Sequence, residues 1–367
     1  MLNYFNNFEL IVDGASHTEK ITTTLKGIEK GTVIDLDALQ EHCDRRKSVN
    51  STLTTPRKEA DELLFKSGIA ESKKDGRRIG TVTGDIVVEV ENKVNNSKDY
   101  EHLKNTPRPS HADYTAVMKY GKGVDLRGGG RFSGRLTLSH CIAGGIAKQL
   151  LKKQGITVLS YISEIAGIKG KSYKECEIKK EEIEGIEDKT FLTLSKKDEM
   201  IDAITKARQN GDSVGGVVEC IAYNLPAGLG GELSLGLEGR ISGYIYSIPA
   251  VKGVEFGAGF DITKMLGSEA NDNFCFDNGK VVTETNNNGG INGGISNGMP
   301  LTMRVAFKPT PSISREQKSV NLETKENVIL KIGGRHDACI VTRAVVGVES
   351  AVSLVLYDCL TDRQKEI

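Results

Sequence analysis

The sequence predicts a mixed α and β protein folded as a single domain over residues 1–367, on three observations. Helical and strand periodicities alternate from one end to the other. No proline- or serine-rich linker separates them, and there are only 8 Pro in the chain. The apolar share of 38% beside a charged share of 27% is that of a globular protein, which excludes a disordered chain, a coiled coil and a collagen. Forty-nine Lys and Arg balance forty-nine Asp and Glu. Net charge therefore points to no nucleic-acid and no membrane-surface partner.

The elements follow in order. Residues 8–12 form an apolar strand that delivers Gly14. Asp35 caps a helix running to about residue 46, with Leu36, Leu39 and Cys43 on one face. Residues 82–90, rich in β-branched side chains, make a strand. A helix over 136–154 aligns Leu138, Cys141, Ile142, Ile146 and Leu150, and Gly155 stops it. A strand over 156–162 follows. Residues 169–189 mix Lys and Glu and read as a solvated excursion. A helix over 198–210 turns Ile201, Ile204 and Ala207 inward, and Gly211 closes it. Strands over 214–223 and 301–307 precede a last helix from about 343 to 360. The longest apolar stretch, 344–356, is broken by Glu349 and falls short of the roughly 20 residues of a membrane span. The N-terminus lacks a basic start and a clean apolar run, so no secretory leader is expected. Seven scattered cysteines, with no CxxC pair and no Cys/His spacing for a metal, are expected as buried thiols of a reduced, cytoplasmic protein.

Four segments concentrate Gly, Arg, His and Asp beyond what packing needs. Gly14-Ala15-Ser16-His17 sets a histidine beside a small-residue turn. Residues 106–115 use two prolines to present Arg108, His111 and Asp113 together. Residues 125–137 carry three consecutive glycines, whose amides can approach an anion, just before a helix start. Arg127, Arg131 and Arg135 recur there at every fourth residue, which suits a phosphate or carboxylate ligand. No Walker A or dinucleotide fingerprint is present. The fourth segment opens with an Asn/Gly run from Asn286, too poor in side chains to pack well, and reaches Asp337. Two histidines, an aspartate and many arginines fit a multiply anionic substrate and proton transfer.

These blocks resemble chorismate synthase, over residues from about 8 to 360. Gly14–His17 is similar to the family's GESHG, Arg108–Asp113 to RPGHAD, and Gly128–Thr137 to GGGRSSARET. Ser296–Met299, Lys308–Ser312 and Arg335–Cys339 are similar to its flavin-side motifs. Ala15 and Thr18 depart from the first motif, Lys47-Ser48-Val49 from the arginine block, Phe132 and Leu136 from the glycine block, and Ala338 from RHDPC. The chain is thus identified as a divergent, active member of the family.

The resemblance implies an α+β sandwich with helices between antiparallel β-sheets, and a homotetramer. It implies elimination of phosphate from 5-enolpyruvylshikimate 3-phosphate, giving chorismate, with reduced FMN as cofactor. His17 would be the acid near the leaving phosphate, and His111 the partner of the reduced flavin. Asp337 would help remove the ring proton, with Ser16 or Ser133. Arg46, Arg57, Arg108, Arg135 and Arg335 would pin the substrate's anionic groups. Arg131, Phe132, Ser133, Pro249, Ala250, Gly293, Lys308, Pro309, Thr310, Pro311, Ser312 and Arg335 fall where the family contacts FMN, Pro249 standing in place of an asparagine. A positive cleft within a balanced surface is expected. His42, His102 and His140 match no family role, and His336 would shape a turn. Two alternatives stay open: a non-catalytic phosphate- or flavin-binding relative, and a bifunctional member that also reduces FMN with NADPH. With no reductase fingerprint in view, NADPH would act as an indirect, outside reductant.

Overall fold

The computed structural model describes residues 4–47, 60–92, 105–333 and 337–366. Arg57, His102, Arg335 and His336 lie outside the described residues. The first sheet is built from β1 (Glu9–Asp13), β2 (Lys20–Lys26), β3 (Val33–Asp35), β4 (Leu64–Lys74) and β5 (Arg77–Glu91). The long β5 organises it: β2 and β3 pair with its two halves along one edge, and β4 runs along the other, all antiparallel. Alternation sets the faces, since Ile21, Thr23 and Leu25 are buried with Ile86, Val88 and Val90.

Helix α1 (Leu36–Asp44) follows β3 directly, and the Asp35 carboxylate accepts from the Ala38 N–H at 2.8 Å, as the sequence predicts. Helix α2 (Asp113–Tyr120) and helix α3 (Thr137–Lys153) come next. The Thr23 hydroxyl of β2 meets the Ser139 hydroxyl of α3 at 2.8 Å, so α3 lies on the inner face of the first sheet.

The second sheet contains β6 (Thr157–Ile165), β7 (Ile168–Lys169), β8 (Gly216–Tyr223) and β9 (Val251–Phe256). Short helices α4 (Lys180–Glu184), α5 (Lys197–Gln209), α6 (Leu237–Ile245) and α7 (Gly267–Ala270) lie among these strands and just after β9. Two hairpins, β10–β11 (Phe274–Asp277, Lys280–Thr283) and β12–β13 (Ile291–Asn292, Ile295–Ser296), precede β14 (Leu301–Phe307). That strand completes the antiparallel order β7-β6-β8-β14-β9. Hairpin β15–β16 (Glu316–Asn321, Glu326–Lys331) follows, and then the terminal helix α8 (Val341–Glu366).

Helices α3 and α8 pack between the sheets, α8 on β6 and β8. The helices approach closely at Gly144, where a Cβ would stand 2.4 Å from the Ser350 Cβ. By length and hydropathy α8 could cross a membrane, but 89% of its most apolar stretch is buried in the core. A helix covered on both sides is apolar nearly all round. One hydrophobic cluster runs through the layers from Phe5 to Leu360. The sandwich expected from the resemblance is therefore what the chain forms.

Three expectations need correction. The charged stretch 169–189 is pinned to the core, because Ile178, Ile183 and Ile186 are buried beneath it. The Asn/Gly run is well packed, because its glycines allow close backbone approach. A Cβ on Gly294, for example, would lie 2.3 Å from the Gly231 carbonyl. Not every cysteine is buried: Cys176 is exposed and Cys275 half-buried.

Candidate active site

The turn after β1 places the first histidine. Gly14 adopts φ +105°, and a Cβ there would meet the Lys20 carbonyl at 2.6 Å. Thr18 closes the turn, its hydroxyl accepting from the Ala15 N–H at 2.9 Å. The departure at Thr18 thus supplies a clasp. The Ser16 N–H donates to the Gly130 carbonyl at 3.2 Å, docking the turn on the glycine loop. His17 is buried there.

Gly128, Gly129 and Gly130 have φ of 58°, 92° and 53°, a run of left-handed residues. Because this chain path is not a helix, the fourfold spacing of the arginines does not align them on one face. Arg127 turns back to Asp125 at 2.7 Å, whereas Arg135 points inward. The glycines instead make room for both histidines. A Cβ on Gly128 would stand 2.1 Å from His17 Cε1, and one on Gly129 would stand 3.4 Å from His111 Nε2.

His111 is oriented by its neighbours. Its Nδ1 donates to Asp113 Oδ1 at 2.7 Å, which leaves Nε2 toward Gly129. Arg108 donates to the same carboxylate from Nε at 2.7 Å and from a terminal nitrogen at 2.8 Å. Burial alone would raise the Asp113 carboxyl, but the bonds from Arg108 and His111 hold it well below the usual range. Arg108's fork is thus taken by Asp113, and its remaining terminal nitrogen donates to Ser312 Oγ at 3.2 Å. Lys308 reaches the Ser110 carbonyl, and its N–H donates to the Ala250 carbonyl at 3.0 Å. The 308–312 segment, Pro249–Ala250 and the His111 loop are therefore brought together.

A second group lies at the starts of α3 and α8, where Gly134 approaches Ile340. Arg46 donates to Asp61 Oδ2 at 3.0 Å, and Arg135 donates to Asp61 Oδ1 at 2.5 Å. Asn92 links this group to the first. Its Oδ1 accepts from Arg135 Nε at 3.1 Å, while its amide donates to the Thr18 carbonyl at 2.8 Å. Asp337 pairs with Arg343 at 2.8 Å, and Arg343 Nε donates to the Arg46 carbonyl at 3.2 Å. Asp61 and Asn92 lie outside every motif the sequence offers. Arg131 and Phe132 line a cleft of about 760 Å³ with His17, Tyr120 and Asp125. Ser133 caps the turn before α3, accepting from the Arg135 N–H at 3.2 Å. Gly293 lies at the exposed tip of the β12–β13 hairpin.

A sandwich that gathers a carboxylate-held His111, a buried His17, a buried arginine pair and a glycine cradle has the make-up of an enzyme acting on a small molecule. The sequence model of the chorismate synthase family matches residues 8–361. A chorismate synthase of Dehalococcoides mccartyi is 45% identical over 96% of this chain and 94% of its own length. One from Thermococcus kodakarensis is 44% identical over 96% and 95%. One from Methanocaldococcus jannaschii is 43% identical over 98% and 96%. Among solved structures, a crystal structure of chorismate synthase aligns with a TM-score of 0.71 at 25% identity, covering 98% of this chain and 93% of that one. The chain belongs to the chorismate synthase family.

Proposed function

We propose that the chain eliminates phosphate and a ring proton from 5-enolpyruvylshikimate 3-phosphate to give chorismate, with reduced FMN bound. As a family member it is a lyase of aromatic biosynthesis. The observation that carries the reading is the placement of His17 and His111 against adjacent glycines of one loop, linked through Asn92 to the buried arginine pair. That juxtaposition supports a reading in which proton donors stand beside an anion site.

His17 is assigned to the leaving phosphate, where an imidazolium hands over a proton as the C–O bond breaks. His111, held by Asp113, offers Nε2 to the flavin, and a cation there stabilises a reduced, anionic ring. Arg46 and Arg135 take the substrate's phosphate and carboxylates, with Arg57 and Arg335 assigned alongside. Arg108 orients His111 and Ser312. Asp337, tied to Arg343, is assigned to the ring proton together with Ser16 or Ser133. Reduced FMN, held by the residues assigned below, would supply reversible electron donation with no net change of oxidation state.

The residues fit such a group. The cleft of about 760 Å³ is flanked by Arg131 and Phe132, and the Thr310 hydroxyl is buried with no hydrogen-bond partner among the described residues. Ser133, Pro249, Ala250, Gly293, Lys308, Pro309, Pro311 and Ser312 complete the assigned flavin contacts. NADPH is assigned only as an outside reductant. A homotetramer is proposed, supported by exposed apolar side chains at Leu233, Phe260, Phe274 and Phe276. A single domain is supported by the continuous core, and a cytoplasmic setting by seven free cysteines. The test is an anaerobic assay with substrate and chemically reduced FMN, following chorismate absorbance. Turnover with reduced FMN alone is expected; equal turnover with oxidised FMN, or none with either, refutes the proposal.

A further inference from the structure

Asp61 carries no role in the reading above, yet two of the arginines assigned to the substrate, Arg46 and Arg135, end on its carboxylate. It is 3% exposed, and its two oxygens go to different partners, Oδ1 to Arg135 and Oδ2 to Arg46. Each arginine gives it one terminal nitrogen, not a fork. The rest of each guanidinium is thereby aimed elsewhere: Arg135 Nε is held by Asn92, and Arg46 Nε is buried with no partner among the described residues. Arg46 is itself 2% exposed and sends its other terminal nitrogen to the Gly134 carbonyl at a long 3.4 Å.

Two buried cations this close repel each other. Burial, Arg343 and Arg135 all disfavour the charge on Arg46, and Asp61 opposes them. The carboxyl of Asp61, which burial alone would raise, is held below its ordinary range by the same two arginines. The backbone that carries Asp61 is fixed as well. Gln40 on α1 donates to the Asp61 carbonyl at 3.0 Å and accepts from the Leu63 N–H at 3.0 Å. Asp61 also holds φ +46°, a conformation uncommon for a residue with a side chain, so the surrounding contacts impose its place.

We infer that Asp61 is a positioning residue, whose shared carboxylate holds Arg46 and Arg135 together as one anion-binding pair. It touches neither substrate nor flavin. One negative charge between two positive ones leaves a net positive, dry pair, which an incoming phosphate or carboxylate completes. The inference rests on the assignment of Arg46 and Arg135 to the substrate's anions, and its test separates the two.

Asp61→Asn and Asp61→Glu are compared with the unaltered protein by thermal melts, by calorimetry with inorganic phosphate, and by steady-state kinetics with reduced FMN. Asn keeps the shape but drops the charge; Glu keeps the charge and displaces it by one methylene. Asp61→Asn is expected to weaken phosphate binding and to raise the substrate KM by about 10- to 100-fold, the usual span for charge-assisted hydrogen bonds. FMN affinity should not change, and Asp61→Glu should restore folding and part of the affinity. Should Asp61→Asn fail to fold, Asp61→Glu decides: unchanged phosphate affinity and KM in that variant overturn the inference. Tighter phosphate binding in Asp61→Asn also overturns it, because Asp61 would then be competing with the anion for the pair. An unaltered protein that binds phosphate through Asp61-dependent arginines yet makes no chorismate supports the inference and refutes the proposed function.

Discussion

Arg45 and Arg46 are neighbours in sequence at the end of α1, and they go to two different buried carboxylates. Arg45 reaches Glu349 on α8 at 2.6 and 3.1 Å, and Lys148 of α3 joins it there. Arg46 reaches Asp61, where Arg135 joins it. Each site thus sets two cations on one carboxylate. What differs is water. The Arg45 and Lys148 side chains are 23% and 24% exposed, whereas those of Arg46 and Arg135 are 3% and 9% exposed. At Glu349 the surplus charge is shared with solvent. Glu349 also accepts from the Ser160 N–H at 3.0 Å, so that group ties α8 to α1, α3 and β6. At Asp61 the two guanidinium groups are almost shut off from solvent. The same charge arithmetic gives a structural clamp in one place and, on the proposed reading, a binding site in the other.

The largest effects should appear on the Asp61 side, at the histidines the arginine group borders. His17→Ala is expected to slow phosphate release by on the order of 100- to 10,000-fold, leaving the spectrum of bound reduced FMN nearly unchanged. His111→Ala should alter that spectrum or its pH dependence. Single-turnover kinetics with thermal melts check this, and wild-type rates in both folded variants would break the comparison at its active end.

At the clamp the expected loss is in stability. Glu349→Ala removes a wholly buried carboxylate that Arg45 and Lys148 hold well below the ordinary range, against the effect of burial. It should cost about 3–5 kcal/mol in denaturant unfolding. A change under about 1 kcal/mol would mean that the clamp holds nothing.

The most gradual effect is a pH slope, also at the clamp. Burial pushes His42, beside Glu349 and bonded to Ser350 Oγ at 2.8 Å, down to about 3. The unfolded chain takes up that proton near pH 6.5 and the folded chain does not. Stability therefore falls as pH drops from about 6.5 toward 3, by at most about 1.4 kcal/mol per pH unit for this group. His42→Asn should flatten the melting temperature between pH 6.5 and 4; an unaltered slope would remove His42 from the clamp.

What the sequence made legible follows from how local each signal is. The Asp35 cap and the apolar stripes of α3 and α5 concern residues within a few positions, and all three helices form close to where they were expected. Strand β4 alternates poorly, with Ser67, Ser72, Lys73 and Lys74 in it, and its place is set by pairing with β5. The histidine motifs announced His17 and His111, but not that neighbouring glycines hold them. Asp61 and Asn92 stayed hidden because their meaning lies in contacts 15 and 43 residues away. The fourfold arginine spacing does not show where each side chain goes, since three left-handed glycines turn the chain between Arg127 and Arg135.

The most direct test replaces the two neighbouring arginines one at a time, Arg45→Met and Arg46→Met, and measures substrate affinity by calorimetry beside the thermal melt of each. The account predicts that Arg46→Met weakens substrate binding by about 10- to 100-fold and leaves the melt within about 1 kcal/mol of the unaltered protein. Arg45→Met should lower the melt and leave substrate affinity as it was. If both variants lose affinity alike, or if Arg46→Met binds substrate normally, the division between a wet clamp and a dry anion site is contradicted.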